Sequence, residues 1–478
     1  MPGTSQLLVA SNRGPLSLSR GADGRNVIGH GGGGLVQGMS AAMRSVEGVW
    51  VCSALNEHER LVARRSAGRL AHAGGDDDLD VRMLPIDAGT FQRAYNGIAN
   101  STLWFVNHLL YDTPTKPVFD AGWRRQWRSY GDYNAAFADA LDEEAAEGAT
   151  VVVQDYHLVL TPRLLRERRP DLRIGHFTHT PWAPPEYFTM LPDDVAHAVL
   201  AGILGADHAG FLCDRWAEAF LACCSAVLGA TVDGRTVRYE GRSTEVGVHG
   251  LGTDGESLRE RAHRPDVETQ MSLLQELAGG RRIIARVDRT ELSKNIVRGL
   301  LAYRELLRSY PEWRDRVMHV AYAYPSRHDL PEYREYTASV QRLAREIDDE
   351  FGDGDWKPVH LTVTDDFAGS LAAFRLAEVL VVNPIRDGMN LVAKEGPVLS
   401  ESGCALVLSR EAGAADDLGA DAFVINPYDV MQTATAIHAA LSMPADDRLV
   451  RSRRLASAAT ALPPAAWFEE QLAALGHP

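Results

Sequence analysis

The second half of the chain repeats one pattern, and the repetition leaves few folds open. Apolar runs at 283–287, 318–324, 359–364, 379–384, 405–409 and 422–427 are mostly separated by helical stretches, such as 295–310 and 331–347. Runs that are apolar throughout, rather than alternating, read as strands covered on both faces. Such strands interleaved with helices make a doubly wound α/β domain around a parallel sheet. The first half shows the same pattern less regularly, with strands read at 7–11, 150–154, 173–178 and 207–212. Between the halves, Val246-Gly247-Val248-His249-Gly250-Leu251-Gly252-Thr253 reads as a strand running into a glycine-spaced hinge. The expected organisation is one domain over 1–248, a second over 249–450, and a helical tail over 451–478 that packs back on the body. The charged stretch 57–80 reads as a surface excursion. Trp123, Trp127, Tyr130 and Tyr133 fall at helical spacing and read as packing.

Composition narrows the function classes. With 478 residues, 45% hydrophobic and 24% charged, the chain has the make-up of a globular protein with two domains of about 200 residues each. A formal net charge of -15 argues against nucleic acid or a membrane surface as a partner. No apolar run approaches the ~20 residues of a membrane span, and the start lacks the basic-then-apolar form of a signal peptide. Cys52, Cys213, Cys223, Cys224 and Cys404 show no metal-like spacing, so reduced thiols in a cytoplasm are expected.

In open α/β sheets ligands lie beyond the carboxyl ends of the strands, and the chemistry-bearing residues gather there. Asp155-Tyr156-His157 follows one strand and His179-Thr180-Pro181 the next. Arg289 and Lys294 follow the first strand of the second half, and Arg327 follows its second. The fourth runs into Asn383-Pro384-Ile385-Arg386-Asp387-Gly388-Met389-Asn390, with a helical pattern beginning near Asn390. The unpaired amides and dipole of a helix start make an anion site. Asp387 before it and Glu395 one turn into it would suit the hydroxyls of a sugar nucleotide. The same residues also read as a solvated turn with ordinary surface charges. Near the amino terminus, His30-Gly31-Gly32-Gly33-Gly34-Leu35 opens a helical pattern and lets backbone amides approach a ligand. Tyr95 to Trp104 supplies aromatics that either build core or stack on a sugar face. Neither a GxGxxG fingerprint nor a GxxxxGK[ST] loop is present, which weakens dehydrogenase and kinase readings.

Taken in order, these segments resemble the trehalose-6-phosphate synthase family of retaining glycosyltransferases. The resemblance runs from Ser11-Asn12-Arg13 to about residue 430, and Arg386 to Glu395, Asp155 to Leu158 and His179-Thr180-Pro181 are its most specific parts. It implies the GT-B architecture of two facing Rossmann-like domains with parallel sheets and a ligand cleft between them. It also implies transfer of glucose from UDP- or GDP-glucose to glucose 6-phosphate in trehalose biosynthesis, with neither cofactor nor metal. By the same resemblance Arg289 and Lys294 would neutralise the donor diphosphate, helped by the Leu391 and Val392 amides and by Gly34. Glu395 would hold the ribose, while Asp387 and His179 would hold the donor glucose. Arg13, Tyr95 and Arg327 would grip the acceptor phosphate, with Trp104 and Asp155 lining the acceptor sugar.

The sequence also departs from the family pattern. Arg289-Thr290-Glu291-Leu292-Ser293-Lys294-Asn295 stands where R-L-D-Y-S/T-K-G is commoner, the glycine run carries an extra glycine, and Gly396-Pro397 is expected to kink the helix that begins near Asn390. Donor base specificity therefore stays open between uracil and guanine. No phosphatase-like D-x-D-G-T segment is found, so the phosphorylated sugar is the expected end product. A cyclitol-coupling pseudo-glycosyltransferase and a catalytically silent sugar-phosphate sensor are the competing readings, and a symmetric homo-oligomer is the default assembly.

Overall fold

A computed structural model describes residues 3–21, 26–30, 39, 43, 48–70 and 80–477. The chain divides into two compact units, Met1–Gly250 with Pro464–Pro478, and Leu251–Pro463.

In the second unit one parallel sheet takes the order Val359–Thr362, Val317–Tyr324, Arg282–Arg289, Ala377–Val382, Ala405–Ser409, Phe423–Ile425. Counted along the chain, this is the 3-2-1-4-5-6 order of a doubly wound sheet. Its switch point lies between 282–289 and 377–382, so the loops after those two strands emerge side by side. Helices cover both faces because the strands are apolar on both. Ile296, Leu300, Tyr303 and Leu307, spaced at one helical face of Ile296–Ser309, are fully buried with Val340 and Ile347 in one core. Each such side chain contributes roughly 2 kcal/mol by leaving water.

Among the described residues of the first unit, ten strands form a sheet. Its parallel centre runs Arg242–Val248, His208–Phe211, Arg173–Thr178, Ala145–Gln154, Ser5–Ser11, Val49–Ser53, Asp80–Leu84. Antiparallel strands flank it at both ends. The helix Ala121–Glu144, capped by Asp120, buries Trp123, Tyr130 and Tyr133 as packing residues and leaves Trp127 half-buried.

Several local expectations are revised. The stretch after Asn56 is a capped helix, Glu57–Arg65, and only 71–79 of the expected excursion falls outside the described residues. Asn56 accepts from the Glu59 amide, and the buried Glu59 carboxylate accepts from the Leu55 and Leu18 amides. Those bonds offset the cost of burying its charge. The tail also splits: Ala445–Ala459 stays in the second unit, whereas Pro464–Ala474 joins the first, where Trp467 meets Phe177 edge-on at 5.0 Å. Arg93–Leu103 winds in wide π-type turns, with Ser101 and Thr102 hydroxyls donating five residues back to the Asn96 and Gly97 carbonyls. Such widened turns recur at functional sites. Finally, the helix Val392–Leu399 runs through Pro397 and ends two residues later, at Leu399, with Ser400 as its cap. Gly396 lets it lie on the 377–382 strand, since a Cβ there would come within 2.4 Å of Leu380.

Candidate active site

In the second unit the two loops at the switch point are tied into one surface. The Arg286 guanidinium, fully buried, donates to the Asn383 side-chain oxygen at 2.5 Å and to the Lys294 carbonyl at 2.5 Å. The Ile385 amide donates to the Ser293 carbonyl, and Asn295 Nδ2 to the Asn383 and Pro427 carbonyls. Asn295 stands where the family pattern has glycine, and its φ of 59° explains the exchange. Asparagine is the side chain that best tolerates the left-handed region. Asn390, with φ 77°, uses the same freedom; its Oδ1 caps the Ala393 amide while its Nδ2 donates to Asp387 Oδ2 at 3.1 Å.

Lys294 and Asp387 meet on this surface, Nζ to Oδ2 at 2.7 Å, with Asp288 Oδ1 3.7 Å from the same ammonium. Burial works against the Lys294 charge, but Asp387 and Asp288 outweigh it and hold its pKa above the ordinary value. A half-buried ammonium held by two carboxylates stabilises a leaving anion far better than a mobile surface lysine. Arg289, the last residue of its strand, and Arg327, with φ 49°, converge on one carboxylate. Their Nη1 atoms lie 3.3 and 3.5 Å from Oε1 of Glu291, which is fully buried and accepts from Ser326 Oγ at 3.0 Å. Arg327 also donates to the Tyr333 hydroxyl at 2.9 Å. Leu391 caps the 392–399 helix and Glu395 lies in its first turn. Lys394, in contrast, has a structural role, holding Asp417 and the Leu251 carbonyl.

Burial raises the Glu395 carboxyl to about 7, and Lys294 opposes the rise only in part. Between the ordinary carboxyl value and about 7 the folded state therefore holds a proton that the unfolded state has lost. Stability from this group is complete at low pH and is lost as pH rises through about 7. Glu395→Gln is expected to stabilise the unliganded protein at about pH 8 by on the order of 2 kcal/mol and to flatten its stability between about pH 5 and 8. Chemical denaturation across that range checks it, and an unchanged slope would remove Glu395 as the titrating group.

In the first unit the sheet edge gathers a second set. Asp155 follows the 145–154 strand with φ 72°. Its amide donates to the Phe177 carbonyl, and its Oδ1 accepts from the His179 amide at 3.1 Å. Asp155 and His179 are thus neighbours at the ends of adjacent strands. His157 joins them, its ring 3.9 Å from Asp155 Oδ2 and stacked on Tyr95 with 5.6 Å between centroids. Trp104, largely buried, stacks on His108 at 3.8 Å and packs against Tyr156. Arg13 is exposed, two residues beyond the end of the Ser5–Ser11 strand. Gly34 lies outside the described residues. Sequence reading assigned no role to Glu291, Asp288, His157 or Gln154. All four stand inside or beside quoted motifs, and only their contacts reveal what they do. Among the described residues no group of three or more His, Cys, Asp or Glu side chains is arranged to hold a metal.

Known proteins decide the family. The pattern defining glycosyltransferase family 20 matches residues 5–477. The chain belongs to glycosyltransferase family 20. This family 20 chain is 33% identical over 460 residues to an α,α-trehalose-phosphate synthase [UDP-forming] of Aspergillus niger, covering 95% of this chain and 93% of the relative. It is 34% identical over 454 residues to a probable synthase of the same name from Arabidopsis thaliana, covering 94% of this chain. It spans only about half, 54%, of that plant protein's length. Among solved structures it resembles an E. coli trehalose-6-phosphate protein bound with UDP-2-fluoro glucose, with TM-score 0.86, 26% identity and 99% of each chain covered. It also resembles a UDP-forming synthase of Burkholderia xenovorans in complex with glucose 6-phosphate. There the TM-score is 0.85 with 25% identity, over 98% of this chain and 100% of that one. The family 20 chain is therefore a glycosyltransferase of the GT-B fold class, as its motifs imply.

Proposed function

We propose that this family 20 chain transfers glucose from UDP-glucose to O1 of glucose 6-phosphate with retention, giving α,α-trehalose 6-phosphate. The observation that carries the reading is the 2.7 Å Lys294–Asp387 pair. It sets a half-buried cation for a diphosphate beside a carboxylate for the hydroxyls of the sugar that the diphosphate carries. A pure sensor of sugar phosphate would need no such pair. Relatives named UDP-forming, together with the solved relative holding UDP-2-fluoro glucose, support uracil over guanine as the donor base.

In the proposed reaction the bond from glucose C1 to the diphosphate oxygen breaks, and a bond from C1 to the acceptor O1 forms on the same face. The O1 proton passes to the departing diphosphate, so no protein carboxylate need act as nucleophile. Lys294, Arg289 and the Leu391 and Val392 amides stabilise the leaving group, with Gly34 assigned there by resemblance. Asp387 and His179 hold the donor glucose and Glu395 the ribose. Arg13, Tyr95 and Arg327 take the acceptor phosphate, with Trp104 and Asp155 along the acceptor sugar. The work divides between positioning and charge. The buried free thiols of Cys52, Cys223, Cys224 and Cys404 fit a reducing cytoplasm for this chemistry.

Because Arg289 and Arg327 share Glu291, loosening that carboxylate disturbs both phosphate subsites. Glu291→Gln keeps the shape but removes the charge, and is expected to raise the KM for donor and acceptor each by roughly fivefold to tenfold. A change in one KM alone would separate the two arginines.

The deciding experiment is nucleoside diphosphate release from UDP-glucose and GDP-glucose, with and without glucose 6-phosphate. Release from UDP-glucose that requires glucose 6-phosphate is the expected result. No release by folded protein would reject the reading in favour of cyclitol coupling or sensing.

A further inference from the structure

One hydrogen-bonded chain in the first unit reaches a proposed site residue, and its direction is fixed by its far end. His179 Nε2 lies 2.8 Å from Gln154 Oε1, at the end of the 145–154 strand. Gln154 Nε2 lies 3.4 Å from Gln471 Oε1, and Gln471 Nε2 lies 3.3 Å from the backbone carbonyl of Trp467, one turn earlier in the helix Pro464–Ala474. A carbonyl only accepts. Gln471 must therefore present its amide N–H to Trp467 and its oxygen to Gln154. Gln154 must then present its own N–H to Gln471 and its oxygen to His179, which leaves Nε2 of His179 as the donor. Gln154 is fully buried, and Gln471 and Trp467 are nearly so, which leaves little room for water to reverse the chain.

Two further observations agree. Burial, with a smaller push from His176, lowers the His179 pKa to about 3, so the ring is neutral near pH 7. The Trp467 and Phe177 rings pack against the imidazole at 5.4 and 4.8 Å between centroids and hold its plane.

We propose that Gln154 and Gln471 are positioning residues that lock His179 as the Nε2–H tautomer, leaving Nδ1 to accept a hydrogen bond from a hydroxyl of the donor sugar. This rests on the glucose-transfer reading and deepens it. His179 would neither donate a proton nor carry charge during the reaction. It would select donors that offer a hydroxyl hydrogen at that position, and the carboxyl-terminal segment would set the selection through two glutamines.

The test is nitrogen NMR of the full chain carrying 15N-histidine near neutral pH, with His179→Gln used to identify the signal. The expected spectrum shows His179 protonated on Nε2 alone. In Gln154→Leu the signal should move toward a mixture of tautomers. In that variant kcat/KM for the donor should fall roughly tenfold, while the KM for glucose 6-phosphate holds. A wild-type His179 protonated on Nδ1 or on both nitrogens would overturn the proposal, as would Gln154→Leu with an unchanged tautomer. If Gln154→Leu does not fold, judged by its Tm, Gln471→Leu breaks the next link and is read in the same way. The tautomer is measured without turnover. A wild type that transfers no glucose would therefore reject the glucose-transfer reading while leaving the test of the hydrogen-bonded chain intact.

Discussion

Lys294→Ala is expected to lower kcat at saturating donor by roughly 10²–10³-fold, the cost of removing one fixed donor from a developing anion. The geometry explains why the effect should fall on kcat. The Lys294 side chain is only 13% exposed and its ammonium is already oriented by Asp387 at 2.7 Å and Asp288 at 3.7 Å. In the proposed reaction little reorganisation would then accompany the gain of charge on the leaving diphosphate, which would make the interaction stronger in the transition state than in the bound donor. The same substitution leaves Asp288, 4% exposed, and Asp387 without that partner, and should cost roughly 3 kcal/mol of stability. Steady-state kinetics at a temperature where circular dichroism shows the variant folded would separate the two effects. An unchanged kcat there would remove Lys294 from the leaving-group site. Lys294→Arg, which keeps the charge but not the compact ammonium, should recover stability better than rate.

Arg327→Ala is expected to raise the KM for glucose 6-phosphate at least tenfold while moving the donor KM much less. The loss of a charge-assisted contact corresponds to ~1.5 kcal/mol or more. Arg327 is anchored on Tyr333 at 2.9 Å and on Glu291 at 3.5 Å, so in the proposed role its guanidinium would meet the acceptor phosphate already ordered. That ordering makes the expected loss larger than for a mobile surface arginine, which first pays conformational entropy to bind. Initial rates with each substrate varied in turn would decide it, and equal changes in both KM values would reject the assignment of Arg327 to the acceptor.

Much of the site was legible because its residues stand where strands end. Arg289, Asp155, His179 and Asp387 could each be placed at a carboxyl edge from the apolar run before them, and the structure finds each there. Glu291 was not legible as a hub. Nothing local distinguishes a glutamate that two arginines and a serine from the loop after another strand will surround from one that faces solvent. The helix Glu57–Arg65 was missed for a related reason. Its charged residues resemble a surface loop until the Asn56–Glu59 cap and the buried Glu59 are seen. Gln154 carries no charge and no catalytic reputation, so its role depended on finding Gln471 317 positions away.

The sequence by itself determined the alternation of apolar strands and helices, and hence two doubly wound units. It also determined which loops carry cations and carboxylates, because strand periodicity and turn residues are local properties of the chain. Tertiary structure decided the rest: which carboxylate meets which cation, that Pro464–Ala474 returns to the first unit, and how the hydrogen bonds to His179 run. Those depend on distances between residues far apart in sequence, which are set by the packing of whole elements and leave no trace in any one segment.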